Sequence, residues 1–270
     1  MKKHMRNAMR YAITTAAPPA LRDAREAGFD YAEVATIQAL MPDRPESEFE
    51  DAAAALLASG LPVESHNCFL PGNLRCVGPG ADHAAIEDWA EICFRRMNKL
   101  GSSVMVFGSG AARTIPDGWP REKAEEQFAA LLGLLGRRAA AHGVSLVVEP
   151  LARVECNFVN TVDDGARLAR ASGSDAVGVL ADNVHWERNG EAADTIVSSA
   201  DRFRHAHVAT LPSRLVPGVE PHDFGPFFAA LRAIGYDGRV SVEAWIPEPE
   251  RRVERLRAAL GILRAAAAGL

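Results

Sequence analysis

Four side chains able to hold a divalent cation close four apolar runs in the second half of this 270-residue chain. VSLVVEP ends at Glu149, VGVLAD ends at Asp182, RHAHV presents His207, and RVSVEA presents Glu243. Three carboxylates and one imidazole make an oxygen-rich donor set. Such a set suits Mn²⁺, Mg²⁺ or Co²⁺ better than a structural zinc site, which usually takes cysteine and histidine. A single strand-end glutamate is more often a salt-bridge partner than a ligand. Four metal-capable residues on consecutive runs make that reading less attractive, provided that the fold brings the run ends together.

The elements that would do so are legible as an alternation. Short β-branched runs at 11–14, 31–35, 62–67, 103–107, 145–149, 177–182, 204–208 and 240–244 read as strands. Helical spacing of apolar residues falls between them at 47–59, 84–100 and 121–142, and the alanine-rich end of the chain reads as a final, fraying helix. Gly60, Gly101, Gly143 and Gly235 each follow a helical pattern, where a left-handed C-terminal cap is common. Eight repeats of strand and helix imply a parallel sheet, and in this length they predict a closed (β/α)8 TIM barrel filling residues 1–270 as one domain. No G-x-G-x-x-G follows the first strand, which weakens a dinucleotide-binding alternative. In such a barrel the active site lies at the C-terminal ends of the strands, where the four candidate ligands fall.

Neighbouring residues extend the candidate site. His205 and His207 are two apart and point to the same side of their strand. His207 lies nearer the C-terminal end and is the expected ligand, leaving His205 as a buried, hydrogen-bonded inner residue. His185, three residues after Asp182, is expected to bind substrate, with capping of its loop as the alternative. His66 lies at the end of the third run and is expected to point to the same rim as a substrate contact. Arg113, in GSGAAR, either binds an anionic group of a substrate or pairs with a carboxylate; the sequence does not separate the two.

Composition sets the outer bounds. Hydrophobic residues make up 48% of the chain and charged residues 24%, enough for a sizeable core. A net charge of −5 leaves no electrostatic footprint for nucleic acid or an anionic membrane. The opening segment is basic but has no continuous apolar stretch or cleavage site, so a signal peptide is not expected. No apolar run approaches the roughly 20 residues of a membrane span. Cys68, Cys76, Cys93 and Cys156 form no C-x-x-C pair and read as reduced thiols, so a cytoplasmic protein is expected.

The segments EPLARVECNFVNT, VLADNVHW, HAHVATLPSRLVPG and YDGRVSVEAW resemble the sugar phosphate isomerase/epimerase superfamily of xylose-isomerase-like barrels. That group includes ketose 3-epimerases, hydroxypyruvate isomerases and inosose dehydratases. The resemblance is strong in the second half and looser in the first. It implies that Glu149, Asp182, His207 and Glu243 ligate one divalent ion, manganese first, with magnesium or cobalt as alternatives. It also implies substrate-orienting roles for Glu155, six after the first ligand, for His185, and for Arg214. The segment ATLPS, between the histidine strand and Arg214, has no acidic residue, a departure from the ketose epimerases that leaves the substrate open. A homo-oligomer is expected from the resemblance alone.

The implied chemistry is proton transfer on a carbon next to a carbonyl of a small carbohydrate. A cation stabilises the enediolate that results. Glu149 and Glu243 each have a second oxygen with which to act as base or acid. Working on opposite faces they would epimerise; returning the proton to the neighbouring carbon would isomerise; losing a hydroxyl would dehydrate. A metal-dependent dehydratase or lyase is therefore the nearest alternative. An endonuclease-IV-like DNA repair enzyme is a remote one, disfavoured by the negative charge and the lack of further histidine ligands. A non-catalytic sugar-binding module is the third.

Overall fold

The computed structural model describes residues 9–270, so the basic residues of the opening octapeptide lie outside the description. Eight parallel strands close in sequence order: β1 (Arg10–Thr14), β2 (Tyr31–Ala35), β3 (Val63–Asn67), β4 (Val104–Phe107), β5 (Ser145–Val148), β6 (Val177–Asp182), β7 (Phe203–Val208) and β8 (Arg239–Val242). β8 pairs with β1 in the register Tyr11 to Val240 and Ile13 to Val242, which completes the barrel. Each expected strand is found, with ends displaced by at most two residues.

The outer layer comprises α1 (Pro18–Ala27), α2 (Thr36–Ala39), α3 (Glu46–Leu57), α4 (His83–Leu100), α5 (Gly110–Arg113) and α6 (Arg121–Ala141). It continues with α7 (Val162–Ala171), α8 (Asn183–Arg188), α9 (Ala193–Val197), α10 (Gly225–Ala233) and α11 (Arg252–Ala268). The three helices read from the sequence are α3, α4 and α6. The alanine-rich end forms α11, continuous to Ala268. Gly60, Gly101, Gly143 and Gly235 have φ of 73°, 75°, 68° and 67°, the left-handed conformation in which an L side chain is strained. No helix among the described residues is long and apolar enough to cross a membrane.

Strand alternation divides the interior into two compartments. Side chains such as Ile13, Val34, Met105, Phe107, Leu146, Val148, Val179 and Val242 face the helices and join the main apolar core. The opposite face fills the barrel. On β4 to β6 that filling is apolar, a small cluster of Val104, Val106, Val147 and Leu180. On β2, β3, β7 and β8 it is polar: Glu33, Ser65, His205, His207 and Ser241 are all buried with no exposure. The same alternation carries Asn67, Glu149, Asp182, His207 and Glu243 inward at the C-terminal mouth.

Candidate metal and active site

Glu149 and Glu243 are the first residues beyond β5 and β8, while Asp182 ends β6 and His207 is the penultimate residue of β7. One ligand atom from each lies within 4.8 Å of the others. His207 Nδ1 is 3.2 Å from Glu149 Oε1 and 3.4 Å from Glu243 Oε2. Bonds of about 2.0–2.6 Å from one divalent ion allow separations of this size between its ligands. The donors are also oriented. Asp182 Oδ1 accepts the backbone N–H of Val184 at 2.7 Å and so caps α8, which leaves Oδ2 for the cluster. Glu243 Oε1 accepts from Asn67 Nδ2 at 3.0 Å, which leaves Oε2. The residues therefore fit a divalent cation by donor chemistry and by orientation.

Positive charge is already directed at these oxygens. Arg214 Nη2 lies 2.7 Å from Asp182 Oδ2 and also donates to Glu243 Oε2. Its backbone is left-handed, with φ of 52°, and is held on both sides: its N–H donates to Thr210 and its carbonyl accepts from Trp245. Burial would raise the Asp182 carboxyl, but Arg214, the largest opposing charge, outweighs it and holds the group at about 2. Burial would lower His207, yet the carboxylates of Glu33, Glu243 and Glu149 keep it well above the usual imidazole range.

His185 is buried beside the cluster, with Nε2 4.0 Å from Asp182 Oδ2. Its Nδ1 accepts the Ala152 N–H at 3.2 Å, so the ring proton sits on Nε2. Glu155 is half-exposed and pairs with Arg188 at 3.1 Å, its Oε1 3.7 Å from His185 Nδ1, one step outside the cluster.

Two expectations are corrected. His66 does not reach the rim. Ser65 and Asn67 take the inward positions of β3, so His66 points to the helical layer. There it bonds to the Val34 carbonyl at 3.1 Å and to Ser102 Oγ at 3.0 Å. Burial pushes its ring down to about 4, so it is neutral at ordinary pH. Arg113 meets neither a carboxylate nor the open site. Fully buried, it donates to the carbonyls of Phe107, Glu149 and Val159, tying the ends of β4 and β5 together.

An open cavity of about 510 Å³ adjoins the cluster, lined by Thr14, Arg214, Glu243, Trp245 and Arg252 among others. Cys68 is the one exposed thiol among the four and sits near the mouth; burial, then Glu243 and Glu149, push it up to about 11.

A family model described as "Xylose isomerase-like TIM barrel" matches residues 21–266. The chain belongs to the xylose isomerase-like TIM barrel family. Curated relatives include the L-ribulose 3-epimerase of Mesorhizobium japonicum, 28% identical over 84% of this chain and 75% of its own length. The 2-oxo-tetronate isomerase of Cupriavidus necator is 26% identical over 49% of this chain and 52% of its own. Beyond the first of these, the matches span about half or less of each relative. The fold is shared with D-psicose 3-epimerase from Clostridium cellulolyticum H10, at a TM-score of 0.81, 18% identity, and 96% and 99% coverage of the two chains. It is shared also with a zinc-bound IOLI protein, at 0.78, 19% identity, and 96% and 98% coverage.

Three residues of this xylose isomerase-like barrel escape a reading by metal-capable side chains at strand ends. Asn67 holds Glu243. Gly108, just past β4, leaves room for Glu149, since a Cβ there would collide with Glu149 Oε2. Glu33 lies under His207 in mid-strand. Its one signal is an isolated charge inside YAEVA, a run otherwise suited to a buried strand.

Proposed function

We propose that the chain is a divalent-metal-dependent sugar isomerase or epimerase that moves a proton on the carbon next to a carbonyl. The carrying observation is the four-donor cluster at the mouth of the barrel, in which two ligands are glutamates on non-adjacent strands. Relatives named as L-ribulose 3-epimerase, 2-oxo-tetronate isomerase and 3-dehydro-D-guloside 4-epimerase support the same class. Glu149, Asp182, His207 and Glu243 would hold the ion, Mn²⁺ in the first instance. When bound, the ion supplies Lewis acidity that stabilises negative charge developing on the substrate oxygens.

The chain's own groups do the rest. Glu149 Oε2 accepts no hydrogen bond among the described residues, so it is free to take a proton. Glu243 is tethered by Asn67 and faces the cluster from β8, where, once protonated from solvent, it can deliver a proton to the other face. Arg214 balances the carboxylate charge and offers its remaining N–H donors to a substrate oxygen. His185 presents its Nε2–H, and Glu155 with Arg188 forms the outer edge.

The test is deuterium uptake from solvent, read by NMR, on free ketoses, inososes and hydroxypyruvate with Mn²⁺-loaded protein. A ketose epimerase or isomerase takes up deuterium beside the carbonyl at constant substrate mass, apart from the label; loss of water would identify a dehydratase instead. Glu149→Gln and Glu243→Gln are each expected to slow exchange by about 10²–10⁴-fold, with metal content measured in parallel. Exchange at the parent rate in both metal-loaded variants would falsify the two-glutamate scheme.

A further inference from the structure

Beneath the cluster lies a second group of titratable side chains that the proposed mechanism does not use. Glu33, His205 and His207 are buried without exposure, and their ligating atoms also lie within 4.8 Å of one another. The two oxygens of Glu33 have different surroundings. Oε2 accepts from Ser65 Oγ at 2.8 Å, Ser241 Oγ at 2.9 Å and His205 Nε2 at 2.9 Å. Tyr31 OH stands behind Ser241 at 3.1 Å and donates to it, because the serine proton is directed at Glu33. Oε1 accepts no aligned hydrogen bond and lies 2.9 Å from His207 Nε2, which itself has no other partner. The donors therefore gather on one oxygen and leave the other facing a single imidazole nitrogen.

We infer that Glu33 is a positioning residue: through Oε1 it keeps the proton of His207 on Nε2, and so turns the Nδ1 lone pair toward Glu149, Asp182 and Glu243. The inference rests on the metal-site reading above and adds to it the choice of histidine nitrogen and the group that enforces it. A carboxylate behind a ligating histidine fixes the ring's tautomer and orientation, and such partners are typically worth 10–100-fold in affinity. Here the device joins Glu33, in the middle of β2, to His207, near the end of β7, with Ser65 of β3 and Ser241 of β8 holding the carboxylate in place.

Glu33→Gln makes a sharp test. Three donors converge on the Oε2 position, so the amide oxygen must take it. The amide NH₂ is then set against His207 Nε2 and demands an acceptor there. The ring proton moves to Nδ1, where it blocks ligation. Two readouts are combined, ¹⁵N–¹H correlation of the His207 ring in the metal-free protein at a pH high enough that the ring carries a single proton, and Mn²⁺ affinity from the EPR signal of the free ion. The parent is expected to carry a proton on Nε2, and folded Glu33→Gln is expected to lose it and to bind Mn²⁺ about 10–100-fold more weakly. Ser65→Ala removes a donor from Oε2 without touching the Oε1 contact, and is expected to lose stability while keeping Mn²⁺ affinity. Should Glu33→Gln fail to fold, the parent's Nε2 proton and the Ser65→Ala comparison still decide.

Parent affinity in folded Glu33→Gln overturns the inference, as does a parent Nε2 without a proton, or an equal affinity loss in Ser65→Ala. A second equivalent of Mn²⁺ that disappears in His205→Asn also overturns it, by making Glu33 a ligand. Failure of the parent to bind Mn²⁺, with the Nε2 proton present, counts against the metal-site reading and leaves the tautomer assignment standing.

Discussion

Glu149 shows how a site can depend on a residue with no functional group. Its carboxylate lies over Gly108, and a methyl there would meet Glu149 Oε2, the far end of a flexible side chain. The backbone can therefore tolerate Gly108→Ala while the carboxylate turns away. Gly108→Ala is expected to unfold within a few degrees of the parent yet to lose about 10²-fold in kcat, the scale of a misplacement near 1 Å. Thermal unfolding and the deuterium-exchange assay on one preparation check this; full activity would show that Oε2 does not need that position. Gly108 is invisible to motif reading because glycines in loops are common and only the packed neighbour marks this one. The ligands were legible for the opposite reason, since each ends an apolar run. His66 satisfied the same rule and failed, because strand parity put Asn67 inward instead.

The ends of β6 and β7 are locked by a side chain that acts as a strand. Asn183, the first residue of α8, accepts the Ala209 N–H on Oδ1 at 2.8 Å and donates from Nδ2 to the Ala209 carbonyl at 3.0 Å. It thereby continues the ladder in which Asp182 already pairs with His207. Both Asn183 and Ala209 are buried, so removing the amide leaves two backbone groups without partners. Asn183→Ala is expected to lose about 2–6 kcal/mol, from roughly 1–3 kcal/mol for each of the two unsatisfied groups. A fall in Mn²⁺ affinity should accompany it, because the ligands on β6 and β7 lose their common anchor. Urea midpoints and Mn²⁺ titration test the two effects separately; unchanged affinity in the destabilised protein would show that the ligands need no such anchor. Strands and major helices could be read from period and caps, whereas this lock could not. An asparagine after a strand reads as a loop residue until the partner strand is known.

The closed barrel was legible because eight apolar runs in 270 residues leave few other ways to satisfy a parallel sheet. The polar half of its interior was not, because an inward serine or histidine looks like an outward one until the register is set. The pH response of the whole molecule should also contain terms from outside that half. Glu191, between α8 and α9, is one. Its Oε2 accepts the Val162 N–H at the start of α7 at 2.8 Å. Burial raises its carboxyl to about 7, against the smaller opposing effects of Val162 and Thr195. Since the folded-state value lies above that of the unfolded chain, the stabilising contribution is complete below about pH 4.5 and is lost as pH rises through 7. Glu191→Gln keeps an acceptor for Val162 and cannot ionise. It should match the parent near pH 4.5 and exceed it at pH 8 by about 1 kcal/mol, a value reduced for solvent screening of a partly exposed group. For a chain of this size that is a Tm shift of roughly 2–4 °C. Urea unfolding of both proteins at the two pH values provides the check. The carboxylates of the metal cluster titrate equally in parent and variant, so they cancel in the difference. A gap of the same size at both pH values would mean that ionisation of Glu191 is not its cause.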